Sequence, residues 1–515
     1  MVTGDDDLLP GELLRWLAEH GTGVYLVGGC LRDRLLDRPI RDLDLVVATG
    51  GLSLARRVAD RFLGDYYPLD EARGTGRALL RTAQGDRLVV DVSEFRGPDL
   101  PSDLADRDFT INALAEDLAA PGQIIDRFHG IDDLRAGIIR PVGPYSIRND
   151  PIRALRAVRL SDELGFVLAP ETEELIRLDG AALVAISGER IRDELARILS
   201  SPHAAQSLSR LEVLGLLTVI FPELEPLRGM EQPAPHYLDG LRHSLETVRA
   251  LDRLVAPLAP ARLDAWAPGE GEEAASWPEA VAPLIPRLRL YLDETLGDLR
   301  PRLVSLKLAA LLHDTGKPSA KGVDLDGRVR FIGHERASAA LAGDALRRLH
   351  FTNLEVRLVE SVARHHMRPL LLAAEAGGHH GGHAHEPREV SARAIYRFFR
   401  DTGDAGLGVL LHAMADLLAT YLPGSAPEAW LRLLDLSARM LNDYFVRYSV
   451  EVAPDPLLDG HDLMRELGLS PGRQIGHLLE AVREAQFGGE VASREEALVL
   501  VRRLVGQAGR SGAEN

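Results

Sequence analysis

The chain has 515 residues, 45% of them hydrophobic and 27% charged, which fits an ordinary globular protein of several domains. Its single cysteine, Cys30, excludes an internal disulfide and suits a reducing cytoplasm, and no window approaches the roughly 20 apolar residues of a membrane span. A net charge of −17 argues against a uniformly basic nucleic-acid binder, although steering depends on local patches rather than on the total.

The first stretch, MVTGDDDLLPGELL, lacks the basic and long apolar regions of a signal peptide. Between residues 24 and 120, VYLVGG, DLDLVV, ALLRTA and RLVVDVSEF predict strands, while CLRDRLL and GGLSLARRVADRF predict helices. This is a small α/β domain built on one sheet. In DLDLVV, Asp42 and Asp44 lie two apart and share a face, with Leu43 and Leu45 toward the core. Two carboxylates there repel and lose solvation, a cost that divalent magnesium offsets. A bare DxD is equally a solvated strand end. Gly28-Gly29 change that balance, because missing side chains let a triphosphate approach the backbone at a helix start carrying Arg32 and Asp33. No GK[ST] follows, so this is not a P-loop.

In DLADRDFTINALAED (103–117), Asp108 is predicted to N-cap a TINALA helix that holds Asn112 as a buried polar residue. Beyond about residue 130 strand signals nearly vanish, and ALRAVRLSDELGF, ERIRDELARILS and LEVLGLLTVI read as helices of a bundle. Residues 140–159 set Arg140, Arg148, Arg153, Arg156 and Arg159 against one Asp150. Pro151 fits a first helical position and Asp150 its N-cap, while the arginines at every third residue form a drifting stripe beside Leu155 and Val158. An Asp and an Arg one turn apart also match cytosine and adenine, which each present an amino donor beside a ring-nitrogen acceptor. Uracil and guanine reverse that polarity.

APGEGEEAASWPEAVAP (267–283) and GGHHGGHAHEP (377–387) read as surface insertions. The second holds His379, His380, His383 and His385, on a Gly-rich backbone that does not preorganise ligands. KLAALLHDTGKP joins His313 to Asp314, and helical segments carry His243, His334, His366 (with His365 as alternative) and Asp416. An aspartate bridging two cations held by imidazoles is one reading of that set. Residues 456–497 predict two or three helices.

LVGGCLRDRLLDRPIRDLDLVV resembles the first motif of the class II tRNA nucleotidyltransferase and bacterial poly(A) polymerase family. The resemblance implies an α+β fold: a polymerase-beta-like head on a mixed sheet, a mostly helical neck and body, a helical HD domain and a helical tail. It places the head at 1–145, the neck and RNA-binding region at 146–230, the HD domain at 231–450 with insertions near 257–290 and 375–388, and the tail at 451–515. It implies Asp42 and Asp44 as catalytic ligands of Mg2+, with Asp91 where a third acid often follows. It implies nucleotide contacts from Gly28, Gly29, Arg32, Asp33, Arg107, Asp108, Asp150, Arg153, Arg156 and Arg159, the last two holding phosphates or supporting the pocket. Asp106 stands where members often carry arginine, and Asn149 replaces the glutamate of EDxxR. In GERIRDELARIL, the resemblance gives Glu189, Arg190 and Glu194 a bracing role. Only PDLPS separates SEFRG from DLADRDFT, where many full CCA-adding members carry a longer loop and members adding two cytidines a short one.

The order H…HD…H…H…D resembles the HD phosphohydrolase superfamily. It implies His243, His313, Asp314, His334, His366 and Asp416 as ligands of a divalent transition metal, and phosphatase or phosphodiesterase activity. Together these imply a cytoplasmic, template-independent tRNA nucleotidyltransferase adding C, or C and A, to tRNA from CTP and ATP, with no membrane partner. A poly(A) polymerase of the same fold, or an HD phosphohydrolase with an RNA-binding head, are the alternatives.

Overall fold

Seven strands carry the first chemistry: β1 (Tyr25–Val27), β2 (Asp42–Val47), β3 (Asp65–Asp70), β4 (Thr75–Arg81), β5 (Arg87–Glu94), β6 (Leu114–Asp117) and β7 (Ile124–Asp126). The computed structural model describes residues 8–21, 23–40, 42–82, 85–258, 279–297, 300–376, 379–380, 383–384, 389–422, 427–448 and 456–511. It divides into two compact units, Met1–Ile198 with Arg210–Ile220, and Leu199–Ser209 with Phe221–Asn515.

In the first unit the strand order is β3-β4-β5-β2-β1-β6-β7. Only β2 and β5 pair in parallel; the other neighbours are antiparallel. Leu43 and Leu45 are buried on one face of β2, and Val46 packs with Val27, Leu100, Leu104 and Ala115 on the other. The helix Gly51–Arg61 buries Leu54, Ala55, Val58 and Ala59, a helical-period stripe laid against the sheet.

The TINALA helix does not form. Thr110–Asn112 make one 3-10 turn and the chain then enters β6, between β1 and β7. Residues 108–116 are all buried, so the segment has no solvated face of the kind a surface helix keeps, and strand pairing on both sides decides its conformation. Beyond the sheet, the helix Ile152–Leu164 buries Ile152, Ala154, Leu155, Val158 and Leu160, and stops at Gly165 with φ 69°.

The second unit is helical. Its core helices Arg302–Leu312 and Gly406–Thr420 are buried on nearly every side, and Gly240–Val255, His334–Arg348 and Asn353–His365 surround them. Its buried charges are paired, Lys307 with Asp252 at 2.8 Å and Arg300 with Glu355 at 2.7 Å. The tail forms three helices, Gly460–Leu467, Arg473–Phe487 and Arg494–Ser511, around Leu463, Leu478, Val482, Ala497 and Val501. His379–His380 and His383–Ala384 pair as a two-stranded hairpin. His385 and most of the 257–290 insertion lie outside the described residues. Among the described residues no helix is long and apolar enough to cross a membrane.

Candidate functional site

β1 ends at Val27 and the chain turns at Gly28, whose φ of 79° is left-handed. A Cβ there would lie 3.0 Å from Arg107 Nη1 and 3.3 Å from Asp44 Oδ2, so the backbone angle favours glycine and a side chain would press on both groups. Asp42 and Asp44 share a face of β2, and the parallel register sets Asp91 of β5 beside Asp44. Arg77 of β4 lies opposite Asp91 and forks onto it at 2.7 and 2.8 Å. Burial lifts the Asp44 carboxyl to about 6; Arg107 opposes that rise, and Asp91 and Asp42 reinforce it. Crowded hard oxygens whose burial the nearby arginines do not offset are a fit for a divalent cation.

Arg107 gives Nε and Nη2 to buried Asp103 at 3.2 and 3.0 Å, which leaves Nη1 toward Gly28 and Asp44. Arg32 forks onto Asp33 at 2.9 and 3.0 Å and gives Nη1 to Asn112 Oδ1 at 2.8 Å. Asn112 passes the chain of bonds to Asp108 at 3.0 Å, whose other oxygen accepts from Arg156 at 3.0 Å. Glu194 accepts from Arg156 at 3.2 Å and from Arg159 at 2.7 Å. Burial disfavours the charged forms of Asp108 and Glu194, yet these arginines outweigh it and hold both below the usual carboxylate range.

Asp150 does not cap the helix Ile152–Leu164; its carboxylate accepts from Arg190 at 2.8 Å. Arg153 turns inward, 5% exposed, and donates to the carbonyls of Asp106 (2.6 Å), Arg107 (3.2 Å) and Ser146 (3.2 Å). Asp106, at the departure from the family motif, thus serves through its main chain.

The second constellation lies wholly in the second unit. Asp314, 1% exposed, has imidazole Nε2 atoms of His313 at 3.1 Å, His334 at 3.4 Å, His243 at 3.6 Å and His366 at 4.0 Å. Asp416 Oδ1 lies 2.9 Å from His243 Nε2 and 3.6 Å from His313 Nε2. Three sets bring their ligand atoms within 4.8 Å of one another: His243, His313 and Asp314; His313, His366 and Asp416; Asp314, His334 and His366. Nδ1 of His313, His334 and His366 lies 2.9, 2.7 and 2.8 Å from the carbonyl three residues back, which places a proton there and turns Nε2 inward. Burial opposes charging of His313, but Asp314 and Asp416 outweigh it and push that imidazole up to about 10. Burial and the charge on His313 push His366 down to about 4. Convergent imidazoles and carboxylates with fixed tautomers fit divalent metal.

The family model of the Poly A polymerase head domain matches residues 24–140. The model described as the probable RNA and SrmB-binding site of polymerase A matches 165–227, and the HD domain matches 284–398. An A-adding tRNA nucleotidyltransferase of Deinococcus radiodurans is 32% identical, over 93% of this chain and 95% of its own length. A CC-adding tRNA nucleotidyltransferase of Thermus thermophilus is 33% identical, over 92% of each. The chain belongs to the tRNA nucleotidyltransferase family. The Thermotoga maritima CCA-adding enzyme complexed with tRNA shares the fold, with a TM-score of 0.60 at 21% identity, over 97% of this chain and 96% of its own.

In this tRNA nucleotidyltransferase, a transferase with head and HD domains of classes that generally use divalent metals, the expected nucleotide residues differ in surroundings, and Asp108 and Asp150 accept from Arg156 and Arg190. Gly28, Arg32 and Arg107 lie about Asp44 of β2, while Gly29 and Asp33 lie against Arg32. Arg153, Arg156 and Arg159 are instead engaged within the protein, on carbonyls, Asp108 and Glu194. His366 enters the HD cluster while His365 stays outside it. Sequence reasoning missed Arg77, Asp103 and His412. Arg77 carries no local signal, since β4–β5 pairing alone brings it to Asp91. His412 had one: it stands one helical turn before Asp416, on the same face.

Proposed function

We propose that this enzyme adds CMP residues to the 3′ end of tRNA in the cytoplasm, without a template, using CTP. The supporting observation is the short, pinned link beside the carboxylates. β5 ends at Glu94 and the helix Leu100–Ala105 follows, with Ser102 N on Asp99 at 2.9 Å and Arg96 N on Asp103 at 3.1 Å. A short link here accompanies two-cytidine addition in the family it resembles, and the Thermus relative is named CC-adding. The A-adding name of the Deinococcus relative favours AMP addition from ATP as a second reading.

Asp42 and Asp44 would hold Mg2+, which when bound activates the ribose 3′-hydroxyl and neutralises the leaving pyrophosphate. Gly28 and Gly29 open the backbone to the triphosphate. Arg107, held by Asp103, keeps one guanidinium nitrogen beside Asp44. Asp150 accepts from the amino group of the base, and Arg153, one turn on, donates to the ring nitrogen by releasing a carbonyl. Uracil then leaves buried groups unpaired, which a hydrogen-bonding pocket rejects strongly. Arg156 and Arg159 support this pocket through Glu194. The HD centre would hold a divalent transition metal and hydrolyse phosphate esters.

The test offers tRNAs ending before CCA, after C and after CC, each with CTP or ATP. Two CMP additions to the first, one to the second and none to the third are expected. Processive A-only tailing would show a poly(A) polymerase instead.

A further inference from the structure

Besides the six ligand candidates, the HD cluster contains Lys317, whose Nζ lies 2.6 Å from Asp314 Oδ2, and a buried histidine of unusual kind. His412 is 1% exposed, and neither ring nitrogen has a hydrogen-bond partner among the described residues. Its ring stands edge-on to His313 at 4.7 Å and to His366 at 5.6 Å, centroid to centroid. It is absent from the three sets whose ligand atoms lie within 4.8 Å of one another. It also lacks the carbonyl bond that fixes the tautomer of His313, His334 and His366.

Its absence from those sets separates it from the ligand candidates, and its unpaired nitrogens separate it from a satisfied core histidine. A buried polar ring with both nitrogens unpaired costs stability, and an apolar residue of similar size would fill the space without that cost. A histidine at this place therefore implies something that binds among these side chains and takes its hydrogen bond. An imidazole always has at least one N–H to donate, and the cations that the surrounding side chains fit would attract an anion.

We propose that His412 is an anion-holding residue of the HD centre, donating a ring N–H to an oxygen of a phosphate group bound there. The ligand class is a phosphate oxyanion, either free phosphate or the phosphate of a monoester. This rests on the reading that the HD centre takes up divalent metal.

The test uses the full chain loaded with Mn2+, with metal content measured by mass spectrometry. Inorganic phosphate and, in a separate arm, phenyl phosphate are titrated calorimetrically into the wild type, His412→Leu and His412→Gln. Both variants are expected to keep the wild-type metal content. His412→Leu should bind phosphate at least about tenfold more weakly, as loss of a bond to a charged group predicts, while His412→Gln, which restores an N–H, stays within about threefold of wild type. A stronger effect in the phenyl phosphate arm assigns the site to esters, and an equal effect to any phosphate. Metal-free His412→Leu should melt at or above the wild-type temperature. Equal phosphate affinity in all three proteins, or loss of metal from both variants, overturns the proposal. A wild type that takes up no Mn2+ overturns the metal reading, and the role of His412 with it.

Discussion

Gly28 lies against a guanidinium and a carboxylate, so a methyl group there would press on the ends of both side chains. Gly28→Ala is expected to cost about 1–2 kcal/mol of stability from the left-handed backbone alone. It should also lower kcat/KM for CTP by at least about tenfold, because Arg107 and Asp44 must move; denaturant unfolding and steady-state kinetics check the two effects. Asp44→Asn is expected to leave the fold intact and to remove one of the two carboxylates proposed to hold Mg2+. CMP incorporation into tRNA should fall about 10³-fold or more, with an unchanged or raised melting temperature. At this scale the sequence was readable where a motif is local. The pair Asp42 and Asp44 and the glycines before it could be seen in a run of 22 residues. Arg77 could not, because only the strand register couples it to Asp91.

The helix Ile152–Leu164 shows what spacing alone conveys and what it leaves open. Its arginine stripe is visible as a period of three, but the partners are not. Asp108, 48 residues before Arg156, and Glu194, 38 and 35 residues after Arg156 and Arg159, claim those two arginines, and backbone carbonyls claim Arg153. The TINALA segment errs in the other direction: its local pattern is helical, but after one 3-10 turn the two strands beside it draw its end into β6. The Glu194 linkage gives a pH prediction. Its folded value lies below the ordinary 4.5, so its ionised form stabilises the fold. That contribution is complete above pH 4.5 and is lost as pH falls through the folded value. Glu194→Gln should therefore cost about 3 kcal/mol at pH 7, where it leaves two largely buried guanidiniums short of charge. The gap to wild type should narrow steadily below pH 4.5 in urea unfolding, whereas a gap independent of pH would show that the carboxylate's charge is not what matters.

Across the whole molecule, two side-chain clusters occupy two units, each with its own carboxylates and its own surrounding cations or imidazoles. Asp314→Asn is expected to lower the metal content of the HD centre severely, since Asp314 is met by four imidazoles, while CMP addition stays within about threefold of wild type. Parallel metal analysis and tRNA end-labelling would detect coupling if both fell together. The central claim is that Asp42 and Asp44 hold a divalent ion against the triphosphate of CTP. It is tested most directly by anomalous scattering from crystals of the full chain grown with Mn2+ and a non-hydrolysable CTP analogue. A peak bound by both aspartates and by phosphate oxygens is the expected result. Phosphates in place beside two aspartates that bind no ion would contradict it.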